Sequence, residues 1–420
     1  MADGQGTGPL FDGGRAGALI RTGTSEGKHI MTFDPEAATR DLMSTLSAEE
    51  LELARAYTTS NHWLILAGLV VSALVTWLVI KSGVLDWVFS KVSEKWQNLR
   101  VFVVAFVFGV VSGLLSLPYS IYTDWYRESA YDRTSQPLGD FLAQGALGMV
   151  ISSILLSLLF IGVYALIRKT GRLWWLWSGG LVAAFTALAL AFLPPLIEPL
   201  FNEFEPIPEG EVRDAVLALG AEADISPDRI FMYDGSRQSN NFTANVSGIG
   251  GSARIAISDV AMGEASLDEV KAVTGHEIGH YVLGHVWRSI FVLSVMAVLV
   301  FFLTAKSYDW FARKFGSSAE LSDVRGIPVL LFIMGLFFTL GQPVINTMTR
   351  IGEREADAYS LRTVNLPDAL SMALIKTAEY RYPLAGDLEE AIFYTHPTVQ
   401  NRVRAAMEWK ADNMDASETE

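Results

Sequence analysis

The chain contains no cysteine. Disulfides and thiolate metal ligands are therefore excluded, and any metal must be held by His, Asp or Glu. Charge is also scarce: 19% of residues are Asp, Glu, Lys or Arg, against 50% hydrophobic ones. Ordinary soluble domains carry about a quarter charged residues. Basic residues are outnumbered by acidic ones, and the net charge of −14 argues against nucleic-acid binding. Histidine is rare, with six in 420 residues, so each one carries weight. No secretory signal is read at the start. Residues 1–60 form a polar segment whose first 30 residues are expected to be disordered.

What is abundant is apolar sequence. Trp63–Ile80, Val101–Tyr119, Phe141–Ile167, Leu173–Leu193, Ile290–Thr304 and Gly326–Ile345 are candidate spans. Most approach the roughly 20 residues needed to cross the hydrocarbon of a lipid bilayer. Ile290–Thr304 is short and is expected to begin further back, as a continuation of the helix before it. One such run is compatible with a buried core helix. Six in one chain point to a multi-pass membrane protein. The organisation is then a four-span region over 61–200, a polar region over 201–288, two spans over 289–346 and a second polar region over 347–420.

The first polar region holds His276-Glu277-Ile278-Gly279-His280. On a helix, residues four apart share a face, so both rings can reach one tetrahedral zinc. Glu277 lies about 100° round the helix, near a metal-bound water but poorly placed as a third ligand. This is the HExxH signature of zinc peptidases, with Glu277 as general base. Ser266 and Glu269 make a capping-box pattern for a helix from Leu267 to about Leu283. Two unrelated histidines on a surface helix are the bland alternative. The cap and the apolar Val270, Val273, Ile278 and Val282 weigh against it.

A catalytic zinc needs a third protein ligand. The metzincin spacing fails, because Leu283 and Val286 stand where a glycine and a histidine would be needed. Thr349–Asp357 offers Glu353 instead. Asp357, one turn on, can hold a ligand ring's N–H, and Arg350, one turn back, can brace Glu353. A solvated charged helix face is the competing reading. An even number of crossings separates His280 from Glu353, so both emerge on one side of the membrane. That parity favours His276, His280 and Glu353 as ligands of one zinc per chain. A lone histidine before proline, as His396 before Pro397, is usually structural. Because histidine is scarce and this one follows the Glu353 helix on the same membrane side, it is placed as a donor to the oxyanion of a tetrahedral intermediate, and Arg402 as a fork for a substrate carboxylate. His285 falls off the ligand face and is read as structural; His29 and His62 lie outside the constellation.

Pro208–Leu219 reads as a helix, and Arg229–Asp234 and Ser252–Ser258 as strands. Ser236–Gly251, rich in Ser, Asn and Gly, lies between the strands. A strand edge beside the zinc helix would dock an extended peptide by β-addition; a plain surface hairpin is the alternative.

Pro199–Pro206, Asp234–Arg237, Ala244–Gly248 leading into Ser252–Ile255, Gly275–His280, Arg350–Asp357 and His396–Arg402 occur in that order. Together they resemble the type I CaaX prenyl endopeptidase family, integral-membrane zinc proteases related to yeast a-factor converting enzyme. The resemblance implies a mainly α fold. A polytopic helical barrel would enclose an intramembrane chamber, capped by a gluzincin-like zinc protease domain containing a small β-sheet. Carried over by residue, His276, His280 and Glu353 are the ligands of Zn2+ and Glu277 the general base. Asp357 supports a ligand, and His396 and Arg402 lie near the catalytic centre. Ala244, Asn245 and Val246 fall on the substrate strand. Two departures stand out. The family's Asn-Ala-Tyr/Phe segment is here Thr243-Ala244-Asn245-Val246. Eukaryotic members have seven spans, and six are counted here. The smaller heat-shock membrane proteases share the zinc motifs but have fewer spans.

The implied substrates are prenylated CaaX-type or other membrane-associated peptides. Quality control of membrane proteins without a prenyl requirement competes with that function. A non-catalytic metal-binding transporter or scaffold needs no base such as Glu277, and the spans lack the buried charges of a transport path. The sequence is compatible with a monomer. Basic residues in loops 81–100, 168–172 and 306–325 would put those loops in the cytoplasm and the zinc site outside. The family resemblance puts the zinc site on the cytosolic face. That face is favoured because an amphipathic segment such as Val84–Trp96 can hold basic residues at either surface.

Overall fold

Five continuous helical stretches among the described residues are long and apolar enough to cross a membrane: Ala48–Ser82, Glu94–Ala130, Leu138–Leu190, His285–Phe315 and Val324–Thr363. The computed structural model describes residues 20–22, 31–248, 253–378 and 381–417. The disorder expected of the first 30 residues falls outside these, apart from β1 (Ile20–Thr22), which pairs antiparallel with β2 (Met31–Phe33). The third stretch is two helices, Leu138–Thr170 and Trp174–Ile197, joined by a tight turn at Gly171, where φ is +53°. The six apolar runs fall on the resulting helices, with different bounds.

Two boundaries differ from the sequence reading. The second half of the polar segment 1–60 is helical. Its residues Pro35–Met43 form a helix, and the first span helix already begins at Ala48, far ahead of Trp63. Ser47 and Glu50 close a capping box there, and nothing between them and Trp63 breaks the helix. The fifth span does not continue the HExxH helix. That helix ends at Val282, Gly284 turns left-handed at φ +68°, and a new helix starts at His285. Only glycine takes that conformation without steric cost.

The span helices pack in a closed order. Ala48–Ser82 packs on Gln97–Ser120, that on Leu138–Thr170, and that on Trp174–Ile197. His285–Phe315 and Ile327–Thr363 complete the ring, and the last returns to Ala48–Ser82. Many large apolar side chains on the span helices are exposed, among them Trp63, Val70, Trp77, Phe192, Phe291 and Val295, as befits helices of a membrane region. One end of the ring is filled. Val79, Val104, Tyr164, Phe301, Ile327, Leu330 and Ile333 are buried in a single cluster there. Beside it, a cavity of about 220 Å³ carries the hydroxyls of Ser72, Thr76, Ser112, Ser116 and Tyr119.

A polar domain caps the other end. Its four-stranded sheet has the order β3 (Phe204–Pro206), β4 (Ile230–Tyr233), β6 (Arg254–Ser258), β5 (Ala244–Ser247). β4 and β6 are parallel, and the other pairs are antiparallel. Alternate residues Ile255 and Ile257 meet Val270 and Ile278 of the HExxH helix in one apolar cluster. The helix expected over Pro208–Leu219 runs from Glu211 to Glu222, after a bend at Glu209 and Gly210. A second cluster joins Leu42 and Met43 of the early helix to Leu370, Leu374, Val403 and Met407 near the C-terminus. Residues 35–43 thus belong to the cap.

Candidate metal centre

The helix Leu267–Val282 carries the capping box expected for it: Ser266 Oγ accepts the Glu269 N–H (3.3 Å), and the Ser266 N–H donates to Glu269 Oε2 (2.7 Å). Facing it is Ile327–Thr363, one helix of 37 residues that is both the last span and the carrier of Glu353. The two approach closely because Gly275 and Gly279 lie at the crossing. A Cβ on Gly275 would sit 2.5 Å from Val364 Cγ2, and one on Gly279 would sit 3.1 Å from the Ala356 Cα. Ser360 Oγ donates to the Ala272 oxygen at 2.6 Å and locks the crossing. This role of the glycines was not read from sequence, although Gly279 is inside the motif.

The crossing brings His276, His280 and Glu353 together, with one donor atom from each within 4.8 Å of the others. His276 Nε2 and His280 Nε2 are 3.1 Å apart. They lie 3.4 Å and 3.3 Å from Glu353 Oε2 and Oε1. Bonds of about 2.0–2.1 Å in a tetrahedron place donor atoms about 3.3 Å from each other, so this set fits zinc. Glu353 Oε2 is buried and accepts no hydrogen bond; Arg402 Nη2 lies 3.6 Å away, too far to donate, so the oxygen keeps a lone pair for a metal ion. The neighbouring His276, His280 and Arg402 outweigh burial and hold Glu353 well below the usual carboxylate range.

Each histidine is held from behind. His276 Nδ1 donates to Asp357 Oδ1 at 2.8 Å, leaving Nε2 free to face a metal. Burial opposes protonation of His276, but Asp357 and Glu353 overcome it and raise the ring to about 10. Burial would raise Asp357, yet Arg402 holds it at about 2. His280 has its own support. His285 Nδ1 is 2.9 Å from His280 Nδ1, and His285 Nε2 donates to Glu355 Oε2 at 2.9 Å, where Arg288 also binds at 2.8 Å. His285 is therefore structural in the sense of holding a candidate ligand. Its five-residue offset hid this, because the left-handed Gly284 breaks the regular helical geometry between the two rings.

Two arginines lie elsewhere than expected. Arg402 does not leave its fork open for a substrate carboxylate; Nε and Nη2 grip Asp357 Oδ2 and Oδ1 at 2.7 and 2.6 Å. Arg350 does not brace Glu353. Helical side chains lean toward the N-terminus, and Arg350 accordingly reaches Thr347 Oγ1 (2.8 Å) and the backbone oxygens of Glu390 (2.8 Å) and Tyr394 (2.5 Å). It thereby fixes the segment leading to His396. His396 itself enters the cluster, with Nε2 3.3 Å from Glu353 Oε2 and Nδ1 2.9 Å from Thr395 Oγ1. Burial is the main cause that lowers its pKa, to about 3. Glu277 is half-buried beside the cluster, and burial raises its carboxyl above the usual range. Ala244, Asn245 and Val246 lie on β5, the outer strand of the sheet, which packs against the HExxH helix. His62 is outside the cluster, stacked on Phe393, and His29 is outside the described residues.

A membrane ring of helices, capped by a domain that gathers two histidines and a carboxylate beside a half-buried glutamate, defines a membrane metalloprotease. Comparison with known proteins agrees. Residues 206–410 match the model described as Peptidase family M48, and residues 33–203 match CAAX prenyl protease N-terminal, five membrane helices. The chain belongs to this family of membrane metallopeptidases. It is 26% identical over 388 residues to CAAX prenyl protease 1 homolog of Arabidopsis thaliana, covering 87% of this chain and 89% of that one. It is 25% identical over 384 residues to the uncharacterized metalloprotease YhfN of Bacillus subtilis, covering 87% of each. The crystal structure of S. mikatae Ste24p shares the fold, with a TM-score of 0.66 at 22% identity over 79% of this chain and 82% of that chain.

Proposed function

We propose that the protein is a zinc endopeptidase that hydrolyses membrane-associated peptides, including C-terminally prenylated CaaX-type ones. The observation that carries this reading is the buried Glu353 carboxylate, which faces two imidazoles at tetrahedral spacing and whose Oε2 accepts no hydrogen bond. His276, His280 and Glu353 would hold the ion. When bound, zinc acidifies a water and polarises the scissile carbonyl.

The remaining steps belong to the chain. Glu277 takes a proton from the attacking water and returns it to the leaving amine; burial supports this by raising its basicity. His396 is neutral near pH 7, as its low pKa requires. With Thr395 donating to Nδ1, His396 Nε2–H turns toward the developing oxyanion. The Asp357–Arg402 pair orients His276. β5 supports docking of an extended peptide by β-addition. A cavity of about 210 Å³ beside His280, with Val292, Leu293, Ile345 and Met348 in its wall, suits an aliphatic side chain. The zinc site is assigned to the cytosolic face.

The test is purified protein with zinc and two peptides of one sequence, farnesylated and unmodified, with products read by mass spectrometry. Cleavage of the farnesylated peptide alone supports the prenyl reading. Equal cleavage supports a general membrane-peptide protease, and cleavage of neither removes both. Glu277→Ala is expected to keep its zinc and lose about 10²–10⁴-fold in rate; wild-type turnover would remove Glu277 as the base. Protease accessibility of residues 202–260 in sealed vesicles reads the orientation.

A further inference from the structure

With Arg402 committed to Asp357 and Arg350 to backbone oxygens, one guanidinium near the cluster remains unspent. Arg381 makes no hydrogen bond and no ion pair among the described residues. Its backbone is pinned by its neighbours. The Tyr382 N–H donates to Thr58 Oγ1 of the first span helix at 2.7 Å, and the Tyr382 oxygen accepts from Tyr394 Oη at 3.0 Å. The Pro383 oxygen accepts from Gln400 N–H at 3.4 Å. Tyr394 is two residues before His396, and Gln400 two before Arg402. Arg381 thus stands where the His396 segment, the Arg402 helix and the first span meet. It is within electrostatic reach of Glu353, Arg402 and His396.

A half-buried cation with no partner among the described residues is unusual, because burial without pairing is costly. Glu353 does not pair with it. Burial and the adjacent Arg402 lower its pKa only to about 10, so it stays charged at neutral pH. We infer that Arg381 is a substrate-specificity residue that binds a peptide carboxylate close to the scissile bond. This rests on the peptidase reading above. A guanidinium fork accepts the carboxylate through two parallel N–H bonds. The anion comes either from a free C-terminus or from an acidic side chain.

The test uses three versions of one farnesylated peptide: a free C-terminus, a C-terminal amide, and the amide with a glutamate as last residue. Binding to zinc-loaded Glu277→Gln protein is read by fluorescence anisotropy, and turnover by wild type as kcat and KM. The free acid is expected to bind about tenfold or more tighter than the amide, the range for a charge-assisted pair. A preference for the free acid alone identifies the terminal carboxylate, and binding of the Glu amide as tightly identifies a side chain. Arg381→Met is expected to bring the acid-to-amide ratio to about one, and Arg381→Lys to restore part of it. Equal wild-type binding of acid and amide, or a ratio unmoved in Arg381→Met, overturns the inference. The wild-type comparison stands even where a variant does not fold. Carboxylate-dependent binding without cleavage by wild type would sink the peptidase reading while leaving the Arg381 assignment standing.

Discussion

The two ends of the helical ring are built on opposite principles. The far end is closed mainly by apolar packing, with Val104, Ile327, Leu330 and Ile333 wholly buried. The near end buries His276, Glu353, Asp357 and Arg402 among one another. Apolar packing is local in cost, since removing one side chain leaves a void. The polar cluster is cooperative, since removing one member leaves its partner uncompensated. Substitutions at the two ends should therefore fail differently, the far end in stability and the near end in metal affinity and rate.

The sharpest contrast is Glu353→Ala, which is expected to abolish zinc binding by metal analysis while the ring stays folded. Full occupancy would remove Glu353 from the metal. Ile333→Ala should instead lower stability by about 2–5 kcal/mol, as buried Ile truncations do. A lowered thermal midpoint with unchanged zinc affinity is the expected outcome; a parallel loss of zinc would break the separation of the two ends. Within the near end, Asp357→Asn should weaken zinc about 10–100-fold by chelator competition. Glu355→Gln, whose side chain is 43% exposed, should weaken it less, and the reverse order would invert the ranking of the two supports. The smallest effect is on pH dependence. Protonated Glu277 accepts no proton, and burial raises its pKa. The acid limb of kcat/KM should then lie above the ordinary glutamate value of about 4.3. His396, at about 3, should contribute no limb near pH 6.5, and a limb there that vanishes in His396→Ala would contradict that.

Local chemistry was legible in the sequence, and most long-range contacts were not. His276 and His280 are four apart, and Ser266 and Glu269 are three apart, so helical periodicity alone put each pair on one face. Glu353 was reached through crossing parity. Arg402 was placed near the centre but given the wrong partner, because nothing local reveals that Asp357, 45 residues earlier, takes its fork. His285 was set aside because a straight helix was assumed through Gly284. Arg381 carries no motif, and its position follows only from how residues 382 and 383 are tied. The early helix Pro35–Met43 was missed because its apolar face is completed by Val403 and Met407 at the other end of the chain.

The filled far end of the ring sets a limit on traffic. A polypeptide that reaches the three donors meets the buried Tyr164, Phe301 and Ile333 at the far end, and their packing opposes onward threading. What goes in must back out or slip between two helices of the wall. That packing favours trimming near a chain terminus over processive degradation from one side of the bilayer to the other.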